Sequence, residues 1–198
     1  MEKYYGGTLM EERIKDNLVQ GEEILWSSRP AAFQPMDKTH KSYYIRRSII
    51  VAVVSVAILS AYFYSAIATS AGIKWGVVAV LLAVALYSLV SPVLDINRLR
   101  KCSYVLTNEN LFLVTPSDVR SVKLSSIPTA RLAKDEDGLS SLLCGPLADK
   151  LPAFKRRVAT LSGALVDQDS SMCDRFVLYG ISDTDSLKKA ATGYLTIT

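Results

Sequence analysis

This sequence of 198 residues predicts a membrane-embedded α-helical hairpin joined to a mainly-β cytoplasmic domain. Three observations carry that expectation. Residues 48–94 hold a single charge, Lys74, which divides them into two apolar stretches, 48–73 and 75–94. Basic residues gather on both sides, at Lys38, Lys41, Arg46 and Arg47 before the stretch and at Arg98, Arg100 and Lys101 after it. Beyond Lys101, short β-branched and aliphatic runs alternate with polar turns, the signature of half-buried strands.

These observations divide the chain into an N-terminal arm (1–47), the hairpin (48–94) and a C-terminal part (95–198), of which only the last is long enough to bury a core by itself. The apolar fraction of 49% and formal net charge of +4 therefore average an ordinary charged part with an almost uncharged one.

Each apolar stretch reaches the length a spanning helix needs, about 20 residues for a hydrocarbon core about 30 Å thick. Backbone polar groups inside hydrocarbon must be satisfied within the segment, so the expectation is two helices joined by a tight turn over residues 71–74. Lys and Arg retain short loops on the cytoplasmic side, which places both termini there and the chain in the cell (inner) membrane as a multi-pass protein. A cleaved leader would begin near residue 1 and carry a shorter apolar core. The other rival is a buried hairpin inside a soluble protein. Tyr43 and Tyr44 on one side and Trp75 on the other have the amphipathic rings of interfacial anchors. Ala57, Ala61, Ser65 and Thr69 recur every four residues, as do Ala79, Ala83 and Ala/Ser-rich neighbours up to Ser91 in the second stretch, which predicts close packing between the two spans or, alternatively, between copies of the chain. Neither span contains a charged residue that would mark an ion or proton pathway.

In the arm, Thr8 and Glu11 form a capping box for a helix over 9–20, and Gly21 suits its stop. Met10, Ile14 and Leu18 make one face apolar; it packs on the chain's own β domain, or else on a partner or the lipid surface. A strand over 22–29 ends at Pro30, and residues 33–41 form a loop. In the C-terminal part, strands over 103–107 and 111–115 flank the turn Asn108-Glu109-Asn110. A strand alternates from Val119 to Leu124, and another spans 127–132. Asp135, Glu136, Asp137 and Gly138 make a solvated turn, and residues 139–151 fit either structure. Lys155-Arg156-Arg157 reads as a solvated loop, or alternatively a docking point for an acidic partner or an anionic headgroup, ahead of a strand over 158–166. A last strand covers 175–180, and Asp183 caps a terminal helix that ends near Gly193.

The search for chemistry finds few converging groups. Cys102, Cys144 and Cys173 are scattered and expected to be reduced thiols. The single histidine, His40, is distant from them in sequence, which disfavours a structural zinc site. There is no G-x-S-x-G turn and no Gly-rich phosphate loop. The seven juxtamembrane cations Lys38, Lys41, Arg46, Arg47, Arg98, Arg100 and Lys101 are the candidate site: they set topology and hold the adjacent domain against anionic headgroups.

Several short pieces then resemble one family. They are Gly21-Glu22-Glu23-Ile24-Leu25-Trp26 with Arg29-Pro30, Tyr104-Val105-Leu106-Thr107-Asn108-Glu109-Asn110-Leu111, Leu124-Ser125-Ser126-Ile127, and Phe176-Val177-Leu178-Tyr179-Gly180-Ile181-Ser182-Asp183. Their order around the hairpin is similar to that of the two-span members of the bacterial pleckstrin-homology-like (PH-like) domain family. The chain departs from the family pattern at Asn110, where an arginine is usual, and in residues 146–172, which look like an altered loop region. The resemblance implies a partly open antiparallel barrel capped by the C-terminal helix, and a binding or assembly module without enzymatic activity. The first hairpin turn lacks the cations that phosphoinositide recognition would require. The expectation is a non-enzymatic membrane protein whose partners are the lipid bilayer and a protein partner or a second copy. No nucleic acid, small-molecule substrate, metal or cofactor is expected. The alternative is a module that senses lipid or envelope stress through anionic headgroups.

Overall fold

The computed structural model describes residues 14, 16–34, 37–69, 72–136, 138–167 and 171–198. The chain divides into two units, one formed by Met1–Gln34 with Asp95–Thr198 and the other by Pro35–Leu94.

Among the described residues, the first unit is built around eight strands. Strand β1 (Ile24–Ser28) pairs antiparallel with β2 (Ser103–Thr107), setting Trp26 opposite Leu106 and Ser28 opposite Tyr104. The polar turn at 108–109 returns β2 into β3 (Asn110–Val114), which pairs with β4 (Val119–Lys123), so the first sheet has the order β1-β2-β3-β4. The second sheet, β5-β6-β8-β7, contains β5 (Ala130–Lys134), β6 (Ser140–Cys144), the short β7 (Leu165–Val166) and the long β8 (Cys173–Ile181). The chain's last residues run beside β5: the Thr198 N–H donates to Ala130 O and the Leu132 N–H to Thr198 O, each at 3.0 Å.

Both sheets enclose one apolar core, which includes Trp26, Phe33, Tyr104, Leu106, Leu113 and Phe176. Asp183 caps the terminal helix, accepting the Ser186 N–H at 3.0 Å, and Leu187 and Ala191 bury its apolar face in the same core. Ile14, with Leu18, packs on Val105, Phe112 and Val114. The expected helix over 9–20 falls mostly outside the described residues; Ile14 is helical, whereas Asp16 and Asn17 already turn, so the described part stops short of Gln20. There Glu22 accepts the Val19 N–H at 3.0 Å, a local alternative to continuing the helix.

Several sequence expectations shift. The strand expected over 127–132 starts at Ala130, after a turn of 3₁₀ helix at Leu124–Ser126. Residues 139–151 resolve into β6 and the short helix Pro146–Asp149. The strand expected over 158–166 is mostly the helix Arg156–Ser162, whose buried members Arg156, Ala159 and Thr160 recur with helical spacing while Val158 is exposed. Gly163 ends it at φ 76°, and a β-carbon there would lie 2.6 Å from the Arg120 side chain.

The second unit contains helix α1 (Lys38–Ala68) and most of helix α2 (Trp75–Leu99). The loop expected over 33–41 gives way to helix at Lys38 because Asp37 supplies an N-cap, accepting the His40 N–H at 2.9 Å. At the other end the Thr69 N–H donates to Ser65 O at 3.0 Å, and the Tyr62 hydroxyl accepts the Lys74 N–H at 2.8 Å. Both helices are long and apolar enough to cross a membrane. Only 6% of the most apolar window of each is buried, unlike the core helices of a water-soluble protein. Of the expected small-residue positions, Ala57, Ala61, Ala79 and Ala83 are exposed, whereas Ser91 takes a hydrogen bond from Arg47 of the other helix, and a groove between the helices is lined by residues such as Val54, Ser55, Leu59, Leu81, Val84 and Ala85. The last turn of α2 belongs to the first unit, with Ile96 and Leu99 buried in the β core.

Candidate functional site

Helical periodicity sorts the cations at the start of α1. Residues four apart stack along a helix, giving one row of Lys38, Ser42, Arg46 and Ile50 beside another of Lys41, Ile45 and Ile49. These seven residues line a shallow depression, with Lys38, Lys41 and Ser42 nearest the helix start, Ile45 beside Arg46, and Ile49 and Ile50 furthest along. Lys38, Lys41 and Arg46 are exposed. Arg47 faces elsewhere and donates from Nη2 to Ser91 Oγ at 3.0 Å, holding α1 to α2. Tyr44 is buried, its ring stacked 6.0 Å from His40 and tilted 5.6 Å from Tyr43, and Tyr43 is half-buried, so of the three proposed anchors Trp75 offers the most exposed ring. The His40 Nδ1 lies 2.7 Å from the capping carboxylate of Asp37.

The cations that follow α2 diverge in role. Arg98 and Lys101 are exposed. Arg100 instead donates to Phe33 O at 2.6 Å and places its guanidinium 5.7 Å from the Phe33 ring. Arg157 also lies against that ring, 4.5 Å from the Phe33 centroid and 5.0 Å from that of Tyr179, with Nη2 donating to the Tyr179 hydroxyl at 3.1 Å. Tyr104 completes the cluster by donating to Tyr179 O at 2.6 Å. Burial pushes the Arg157 guanidinium below its usual value, against the opposing pull of Tyr179, and pushes the Tyr104 phenol well above its own. The cluster ties the segment before α1, the segment after α2, and β8 into one unit.

Two further polar networks stabilise the β unit. Arg156 pairs with Asp135, both buried, so neither the solvated turn at 135–138 nor the solvated loop at 155–157 describes these residues. Glu22 accepts from the Thr107 hydroxyl and, at 2.9 Å, from Asn110 Nδ2. Burial alone would raise its carboxyl, but those donors and the Val19 N–H outweigh it and leave Glu22 below the usual glutamate value. Asn108 accepts the Glu23 N–H at 3.0 Å, so the first hairpin turn secures β1. Burial pushes Cys102 and Cys173 up to about 11, and Cys144 higher still, keeping all three as inert thiols near neutrality. No group of three or more His, Cys, Asp or Glu side chains able to hold a metal ion occurs among the described residues.

Sequence reasoning found the α1 cations but missed Arg156, Arg157, Phe33 and Tyr179, because an arginine gives no hydropathy signal for burial and its partners are distant in sequence. The one available cue was adjacency, since Arg156-Arg157 precedes a run with apolar residues at helical as well as alternating spacing.

The fold and site define a class: a pair of membrane-length helices inserted between the neighbouring strands β1 and β2 of a two-sheet β unit. No family model, curated protein or solved structure matches this chain.

Proposed function

We propose that this chain is a non-enzymatic, two-span integral membrane protein that presents its β unit on the cytoplasmic face for protein assembly. The observation that carries this reading is the exposed apolar surface of α1 and α2: Ile49, Val53, Val56, Val80 and Leu86 are each at least 58% exposed. Removing such side chains from water contributes roughly 1.5–3 kcal/mol apiece, which a bilayer supplies. The flanking Lys and Arg side chains set the orientation, with both termini cytoplasmic. The two antiparallel sheets, their common core and the Asp183-capped helix support the PH-like reading of the β unit. Engaged, buried Arg156 and Arg157 weigh against the alternative in which Lys155-Arg156-Arg157 reads anionic headgroups.

Site-specific photo-crosslinking in intact cells tests the reading. A crosslinker at exposed Lys123 or Arg131 should give a discrete adduct with one protein or with a second copy. Only diffuse, unsaturable labelling from both positions would overturn assembly as the role.

A further inference from the structure

We infer that the depression on the first turns of α1 is a binding site for one anionic glycerophospholipid, and this rests on the proposal that α1 spans the bilayer. Phosphate would sit against Lys41, Ser42 and Arg46, and an acyl chain would lie along Ile45, Ile49 and Ile50.

Three features favour this occupant. The seven lining residues include three cations and no acidic side chain, so the pocket complements an anion. Lys41 and Arg46 form no ion pair among the described residues, and both are exposed, so their charge is available. Lys38, Lys41 and Ser42 come first and Ile49 and Ile50 last, with Ile45 and Arg46 adjacent between them, the same sense as the headgroup and chain of a lipid. From Lys41 to Ile49 is eight residues, roughly 12 Å at the helical rise, which covers the span from a phosphate to the upper acyl methylenes. A soluble phosphate would use only the polar half and leave the isoleucines uncovered. Arg47 and Tyr44, close in sequence but on other faces, take no part because Arg47 is committed to Ser91 and Tyr44 is buried.

The site therefore does more than the general attraction of basic residues to an anionic leaflet: it assigns a place and a stoichiometry. Each cation near an anionic surface contributes about 1 kcal/mol, so losing two should weaken retention roughly thirtyfold.

The test uses the full chain purified in mild detergent, exchanged into mixtures of phosphatidylglycerol and phosphatidylcholine, and weighed by native mass spectrometry. One phosphatidylglycerol per chain should remain after dilution of free lipid. Lys41→Gln with Arg46→Gln should reduce its retention roughly thirtyfold, Lys41→Arg should preserve it, and Lys123→Gln with Lys134→Gln, an equal loss of charge elsewhere, should leave it unchanged. Glutamine is a good helix former, so exposed substitutions should keep α1 intact, which helical circular dichroism checks. Equal retention in the α1 and control variants, equal retention of phosphatidylcholine, or full displacement by millimolar inorganic phosphate would each overturn the site. Alkaline carbonate washing of membranes containing the same variants separates the two ideas: chain in the pellet with unchanged lipid retention rejects this site alone, whereas release into the supernatant rejects the membrane-spanning proposal beneath it.

Discussion

Replacing Asp135 by Ala should be among the most damaging single changes in the β unit. Asp135 has a side chain 0% exposed and its partner Arg156 is 10% exposed, so the substitution leaves a guanidinium inside the protein without the carboxylate that it faces. Removing one member of such a pair typically costs about 3–5 kcal/mol, because the remaining charge keeps its desolvation penalty. The damage should be largely reversed in the double variant Asp135→Ala with Arg156→Met, since replacing both charges with apolar groups is often neutral. The assay is urea unfolding of the full chain in mild detergent, followed by the fluorescence of buried Trp26 on a Trp75→Phe background. With a slope of about 2 kcal/mol per molar urea, the midpoint should fall by roughly 1.5–2.5 M for the single variant and by under about 0.5 M for the double. A single variant within about 0.5 M of the parent, or a double variant no more stable than the single, would refute the reasoning.

Other expected outcomes follow from the same networks. Glu22 titrates below the ordinary glutamate value of 4.5, so its contribution is present above that pH and is lost as pH falls through the folded-state value. Glu22→Gln should therefore flatten the acid limb of stability measured by urea midpoints between about pH 5 and 3. Cys102 and Cys173, at about 11, are thiolate in only about one molecule in a thousand at pH 8. Iodoacetamide should label them over about 100-fold more slowly in the folded chain than in urea; rates within tenfold would contradict the burial. Because the folded thiols hold their protons to higher pH than unfolded ones, stability should also fall as pH rises from about 9 toward 11. Gly145 sits at φ 90° with an added β-carbon only 2.3 Å from Cys173 O, so Gly145→Ala should cost at least about 2 kcal/mol in thermal or urea unfolding.

The parts of this molecule legible in its sequence are those set by local physics. The two apolar stretches declare themselves by length and lack of charge, and Asp183 and Gly193 bracket a helix through capping chemistry. Strand β2 follows from alternation between polar turns, with the bounds expected for it. The seven cations could be named, but not sorted. Whether Arg46 points into the depression while Arg47 binds Ser91 depends on helical phase, which requires knowing that the helix begins at Lys38. Likewise Arg100 looked like its neighbours until Phe33, 67 positions earlier, proved to be its acceptor. Arg156, Arg157 and Asp135 were misread for the opposite reason: charge patterning assigns such residues to solvent, and only tertiary pairing brings them inside. Of the small-residue positions, Ala57, Ala61, Ala79 and Ala83 are exposed while Ser91 meets the other helix, because small residues permit close approach without compelling it.

The most direct test of the membrane account is alkaline carbonate extraction of membranes from cells making the full chain, alongside a version in which residues 35–94 are replaced by a Gly/Ser linker of about ten residues. Such a linker has a typical end-to-end distance of roughly 18 Å and leaves the partners β1 and β2 in one chain. The full chain should remain in the membrane pellet, and the linked β unit should appear in the supernatant, folded, with Trp26 protected from quencher. Recovery of the full chain in the carbonate supernatant would contradict the account.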